Sequence, residues 1–292
     1  LACENALFAV WSHGATIILQ ESFDAGEALR LIEAERCTVY YGTPNMTLAI
    51  EEHPDRAARD ISSLRVGATL GSPQQIQCLI DLGVREACQI YGLTESYGNC
   101  SINDAHDTVA RRTESIGKAL PGNDMIIADM ATGKRMPTGE IGEIRLKGYV
   151  TKGYYKEPDK TAEAFDADGY FRTGDLGFVD DDGYFYFRGR AKEMIKTGGI
   201  NVSPAEIEEL LISHDAVELA YVIGLKDARR DEIVAAVIVA TEPIDSDELI
   251  ALCRASLAVY KVPRKVKFVT HADLPLTSTG KLQKNRLKDL FE

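Results

Sequence analysis

From Leu1 to about Tyr91, short β-branched runs alternate with longer stretches whose apolar residues recur at helical spacing. Thr16–Leu19, Thr38–Tyr41, Arg65–Leu70 and Ala87–Tyr91 are predicted strands; Ala25–Glu35, Asn45–Glu51 and Gln74–Leu82 are predicted helices. Asp24 and Ser72 stand where N-caps belong, and Pro73 takes the first helical position after Ser72. Strand and helix in turn imply an α/β region with a parallel sheet and helices on its faces. After Ala119 the period changes to two. Thr132-Gly133, Asp168-Gly169 and Asp182-Gly183 are turn dipeptides beside alternating runs such as Glu143–Lys147 and Tyr184–Phe187, so a small antiparallel β subdomain is expected. Its aromatics are read as that subdomain's core.

Past Arg190 a second α/β (α+β) pattern begins. Ser203-Pro204-Ala205-Glu206 has the form of a capping box, opening a helix through Ile212. Strands Leu219–Ile223 and Ile233–Val239, a helix Asp247–Leu257, a strand Lys265–Val269 and a terminal helix from Lys284 complete it. The expected organisation is therefore 1–189, divided into 1–115 and 116–189, followed by a smaller mobile domain 190–292. No Pro or Ser linker separates them, which predicts a hinge rather than a tether.

Size and composition agree with two globular domains: 292 residues, 45% apolar and 27% charged. No apolar run reaches the ~18 residues a membrane helix needs. The net charge of −12 argues against a general nucleic-acid binder. Its distribution is uneven, because the segment from Arg190 holds 15 basic and 16 acidic residues and leaves −11 on the first 189. Between Arg254 and Lys288 nine Lys and Arg face one acid, Asp273, a composition suited to a polyanionic small molecule or to a solvated face. The six cysteines form no Cys-x-x-C pair, and most lie among apolar neighbours, which favours reduced thiols and a cytoplasmic location. Leu1 is not a methionine and no leader pattern precedes it, so a cut chain is expected.

Candidate chemistry clusters in a few stretches. In Thr173-Gly174-Asp175-Leu176-Gly177, Asp175 is read as a carboxylate held in a tight turn, able to accept from ribose hydroxyls. Arg190 offers a planar fork to ribose or phosphate oxygens, and Gly198-Gly199 allows a backbone to approach a ligand. Each fragment alone also suits an ordinary surface turn or strand end. Three loops, Gly42-Thr43-Pro44, Gly71-Ser72-Pro73 and Gly92-Leu93-Thr94-Glu95, follow predicted parallel strands at their carboxyl ends, where ligands of such sheets sit. Tyr91 adds an aromatic face for a purine, Thr94 a hydroxyl and Glu95 a carboxylate for Mg²⁺. Leu276-Thr277-Ser278-Thr279-Gly280-Lys281 is not a phosphate-binding loop, since Pro275 stands where the first glycine belongs and Leu282 where the hydroxyl belongs.

In this order the motifs resemble the carboxyl-terminal part of the adenylate-forming, AMP-binding acyl-CoA synthetase family, over essentially the whole chain. The resemblance implies an ATP-dependent acid–thiol ligase that makes an acyl-adenylate and transfers it to CoA. It places adenine on Tyr91 and along Gly71, Ser72 and Pro73, with Gly92 beside them. It sets the α-phosphate on Thr94, Mg²⁺ on Glu95 and the ribose on Asp175 and Arg190. It makes Lys281 the lysine that bridges carboxylate and α-phosphate, Lys192 the hinge, and Gly198 and Gly199 part of the pantetheine tunnel. Thr43 to Met46 would border the acyl pocket, and Lys261, Arg264, Lys265 and Lys267 could meet CoA phosphates. The implied ligands are ATP, Mg²⁺, CoA and a carboxylic acid, in the setting of fatty acid metabolism; no oligomeric state is implied. The family's Ser/Thr/Gly-rich phosphate-gripping loop has no counterpart before Tyr91, so an amino-terminal portion is expected to be missing. A peptide-synthetase adenylation domain and a non-catalytic nucleotide-binding fragment remain the alternatives.

Overall fold

The structure, a computed structural model, describes residues 7–276 and 282–291. It divides into two compact units. One takes the described residues up to Thr173 together with Gly177–Phe187; the other takes Gly174–Leu176 and those from Arg188 onward.

In the first unit a single helical turn, α1 (Ala9–Ser12), is followed by α2 (Ala25–Glu35), β1 (Val39–Tyr41), α3 (Pro44–Glu51), β2 (Val66–Thr69), α4 (Pro73–Asp81) and β3 (Glu86–Leu93). Asp24 caps α2 by accepting the Glu27 amide at 2.7 Å. Ser72 and Gln75 form the reciprocal box that starts α4, with Pro73 at the first position. The apolar stripes of α2, α3 and α4 meet in one core around Leu29, Ile32, Ile50, Leu79 and Leu82. Thr16–Leu19 is not a strand: it has no regular structure, and Leu19 is 84% exposed. Among the described residues its β-branched side chains have no neighbouring strand to pair with, and propensity alone does not make a strand.

β1, β2 and β3 are parallel, but the sheet continues through β4 (Gly98–Ile102) and β5 (Lys118–Ala119), which are antiparallel. The sheet is thus mixed rather than parallel throughout. After α5 (Val109–Glu114) come β6 (Asp124–Ala128), β7 (Gly142–Lys147), α6 (Pro158–Ala164), β8 (Phe171–Val179) and β9 (Phe185–Arg190), with the second sheet ordered β6-β7-β8-β9. Met125, Ile127, Ile144, Leu146 and Phe185 form its core. The other side of β7 buries charge: Arg145 reaches Glu143 at 2.9 Å and Asp166 at 2.8 Å while its side chain is 2% exposed.

The second unit continues with β10 (Ile195–Thr197), β11 (Ile200–Val202), α7 (Pro204–Ile212), β12 (Val217–Asp227), β13 (Asp231–Ala240), α8 (Ser246–Ser256) and β14 (Lys265–Phe268). Both faces of β13 are buried, Val234, Ala236 and Ile238 in one cluster and Val237 and Val239 in another. This explains its unbroken apolar run. The capping box at Ser203 does not form. The Ser203 hydroxyl donates instead to the Arg188 carbonyl at 2.6 Å, and α7 begins without a side-chain cap. The terminal segment Lys284–Phe291 is a 3₁₀ helix.

Candidate active site

Two groups of candidate residues emerge, one in each unit. In the first, the loops after β1, β2 and β3 lie side by side because their strands are neighbours in one parallel arrangement. Two side-chain bonds lace them together. Thr69, at the end of β2, donates to the Gly42 carbonyl at 2.9 Å, and Gln89 of β3 donates to the Gly71 carbonyl at 2.8 Å. Gln89 is itself buried, so the loop rim is anchored from within the sheet.

β3 carries Tyr91 and Gly92 within the strand, and the chain then turns through a 3₁₀ segment Thr94–Ser96. The Ser96 hydroxyl accepts the Leu93 amide at 2.9 Å, and Tyr97 closes the turn in the left-handed region with φ 55°. Gly92 has to be glycine, because a Cβ there would stand 1.7 Å from the Gly98 carbonyl oxygen of β4. Tyr91 is half-buried, its ring 6.5 Å from that of Phe187. Thr94 is exposed. Glu95 is half-buried and tied at two points: its carbonyl accepts the Thr151 amide at 2.7 Å, and its Oε1 accepts the Tyr154 hydroxyl at 2.8 Å. Burial and the Glu95 carboxylate push the Tyr154 phenol above its ordinary value. Sequence reasoning missed Tyr154, Thr69 and Gln89, whose partners lie 18 to 59 positions away, beyond any local pattern.

In the second unit the structure brings Asp175 and Arg190 together, with Arg190 Nε 3.1 Å from Asp175 Oδ1. Asp175 is not in a turn. It lies within β8 and is 2% exposed, while Gly174 before it takes φ 71°. The flanking glycines mark a local irregularity inside a strand, which looks like turn punctuation in sequence. Lys192 is exposed in the short turn Ala191–Glu193. Gly198 and Gly199 join β10 to β11 as a two-residue hairpin, with φ 57° and 80°, and among the described residues no atom comes within 4 Å of where a Cβ would stand. Positive φ at both central residues marks a type I′ turn, so the glycines are required by the backbone itself. Lys261, assigned to CoA phosphates from the sequence, is held by Glu206 at 2.6 Å. Arg264, Lys265 and Lys267 are exposed. Lys281 lies outside the described residues.

With this geometry in view, the chain matches the pattern of the AMP-binding enzymes over residues 1–155 and that of the AMP-binding enzyme C-terminal domain over residues 206–281. The chain belongs to the AMP-binding enzyme family. YngI of Bacillus subtilis (strain 168), which carries an acyl-CoA synthetase name, is 39% identical over 98% of this chain and 53% of its own length. The mitochondrial medium-chain acyl-CoA ligase ACSF2 of Mus musculus is 36% identical over 96% of this chain and 46% of its own. Among solved structures, the o-succinylbenzoate CoA synthetase MenE of Bacillus subtilis, in complex with ATP and magnesium ion, superposes with a TM-score of 0.83. It is 30% identical and covers 97% of this chain and 58% of its own. The chain spans about half the length of the relatives it matches.

Proposed function

We propose that the protein is an AMP-forming acid–CoA ligase. In the first step a carboxylate oxygen attacks the α-phosphorus of ATP and the bond to the bridging oxygen breaks, giving acyl-adenylate and pyrophosphate. In the second the CoA thiolate adds at the acyl carbon and AMP leaves. The observation that carries the reading is the laced rim of loops ending in an exposed Thr94 and an anchored Glu95, at the carboxyl ends of three parallel strands. Names of the matched relatives support CoA as the acceptor.

In this proposal the half-buried Tyr91 ring and Gly71, Ser72, Pro73 and Gly92 receive the adenine, and Thr94 donates its hydroxyl to the α-phosphate. Asp175 and Arg190 serve the ribose, Asp175 as acceptor and Arg190 as donor. Lys281 offsets charge shared by the incoming carboxylate and the α-phosphate. Gly198 and Gly199 line the path of the thiol, and Lys192 is the hinge between domains 1–189, with its parts 1–115 and 116–189, and 190–292. Among the described residues no three His, Cys, Asp or Glu side chains gather to hold a metal ion. A single carboxylate nevertheless suits Mg²⁺, which commonly binds one or two protein carboxylates and completes its shell with substrate phosphates and water. When bound at Glu95, Mg²⁺ would supply charge neutralisation on the phosphates.

No cysteine is needed as a nucleophile. Burial pushes the thiols of Cys88 and Cys253 up to about 11, which keeps them protonated at neutral pH. The described cysteines are all free, which supports a reducing compartment: the cytoplasm, or the mitochondrion for which the animal relative is named. Among the described residues no helix is long and apolar enough to cross a membrane. Fatty acid metabolism is the proposed setting, on the strength of the medium-chain relative.

The test is acid-dependent exchange of labelled pyrophosphate into ATP by the intact protein, run over a panel of carboxylic acids. At least one acid should support exchange, and Lys281→Ala should lower it by ~10²-fold or more, the range for losing a stabiliser of transition-state charge. Absence of exchange with every acid overturns the proposal.

A further inference from the structure

The segment after β7 folds back on the turn that carries Glu95, and it holds that residue by main chain and side chain at once. The Thr151 amide donates to the Glu95 carbonyl at 2.7 Å, and the Tyr154 hydroxyl donates to Glu95 Oε1 at 2.8 Å. Tyr154 is in turn fixed by its neighbours. Its amide donates to Thr161 Oγ1 at 2.9 Å, the Thr161 hydroxyl donates to the Glu157 carbonyl at 2.8 Å, and Lys160 Nζ sits 4.2 Å from the Tyr154 ring centroid. A glutamate on a turn has several rotamers of similar energy, and fixing one of them removes an entropy cost from any ligand it later binds. Only one of its two oxygens is taken by the phenol. Among the described residues no hydrogen-bond donor engages Oε2.

We propose that Tyr154 is a positioning residue: its hydroxyl orients the Glu95 carboxylate so that Oε2 is presented to the cation of a metal–nucleotide complex. The inference rests on the reading of Glu95 as the cation ligand. Carboxylates that hold metal ions are themselves generally hydrogen-bonded, and loss of such a partner costs ~10 to 100-fold in metal affinity or activity. Tyr154→Phe removes a single oxygen and keeps the ring under Lys160. Glu95→Gln keeps an oxygen for the phenol and removes the charge.

The experiment measures Mn²⁺ binding to the intact protein in the presence of ATP, by loss of the free-ion electron paramagnetic resonance signal. No acid is added, so turnover does not enter. Metal-free ATP binding is measured alongside. Tyr154→Phe should raise the apparent Mn²⁺ dissociation constant by ~10-fold or more, with metal-free ATP binding unchanged. Glu95→Gln should raise it at least as far. If Glu95→Gln weakens Mn²⁺ and Tyr154→Phe does not, the positioning role is overturned while Glu95 keeps its assignment. If neither substitution moves Mn²⁺ binding, Glu95 is not the ligand and the inference falls with it. Equal weakening of Mn²⁺ and metal-free ATP by Tyr154→Phe makes the hydroxyl a structural prop and also overturns the proposal.

Discussion

Glu95, on the turn after β3, and Glu143, on β7, are two carboxylates of the same unit with opposite surroundings. Glu143 is 2% exposed and lies 2.9 Å from Arg145, which also reaches Asp166, while Arg172 approaches it at 3.5 Å. Its charge is neutralised inside the fold. Glu95 is half-buried and has a phenol on one oxygen, and among the described residues it makes no ion pair. A charge compensated by its own chain holds structure, whereas one aimed and left uncompensated is suited to a ligand.

The largest effect expected is at Arg145. Arg145→Ala takes from the buried Glu143 its 2.9 Å ion-pair partner, leaving Arg172 at 3.5 Å, and should cost about 3–5 kcal/mol of unfolding free energy, measured by urea titration. A loss under about 1 kcal/mol would put the network with exposed ion pairs and break the contrast. Replacing both partners sharpens it: Glu143→Leu with Arg145→Met should recover most of that loss, because the deeply buried carboxylate leaves together with the guanidinium. Asp166 tolerates this, since it also accepts the Tyr170 amide at 2.8 Å and the Asp168 amide at 3.0 Å.

A smaller cost is expected where the backbone makes the demand. Gly199→Ala forces a Cβ onto φ 80° and should lower the stability of the second unit by about 1–2 kcal/mol, read from the same titration. An unchanged midpoint would mean that the turn relaxes to another type. The smallest effect concerns pH. Burial pushes Asp166 up, but the Tyr170 amide and Arg145 outweigh it and leave the carboxyl below its ordinary value. A lowered folded pKa gives stability that is complete above the ordinary carboxylate value of about 3.9 and is lost as pH falls through the folded value. Urea midpoints below pH 4 should therefore fall more steeply in the parent than in Arg145→Met; parallel profiles would remove Arg145 as a cause.

What the sequence discloses follows from the range of the forces involved. α2 and α4 were legible because Asp24 and Ser72 act within three residues of their targets, and the apolar spacing shows which side faces the core. The β7 alternation was legible as a strand, but not the fate of its charged side. Alternation does not tell whether the charged side is covered, and Glu143 and Arg145 lie buried, with Arg145 paired to both Glu143 and Asp166. Asp175 was found as a candidate yet placed in a turn, since a glycine with positive φ within a strand looks the same in sequence as one in a loop. Its pairing with Arg190 depends on the hairpin of β8 and β9. Tyr154 carries no local signal, because the turn it steadies lies 59 residues earlier.

The most direct test of the contrast is one preparation of the intact protein with Glu95→Gln, measured for both acid-dependent ATP–pyrophosphate exchange and urea midpoint. The amide keeps an acceptor for Tyr154 and removes the charge. Exchange should fall by roughly 10²-fold, on the order of losing a group that stabilises transition-state charge, while the midpoint stays at the parent's value. An unchanged exchange rate, or a loss of activity matched by a fall in the midpoint, would show Glu95 to be a structural carboxylate of the same kind as Glu143 and would contradict the account.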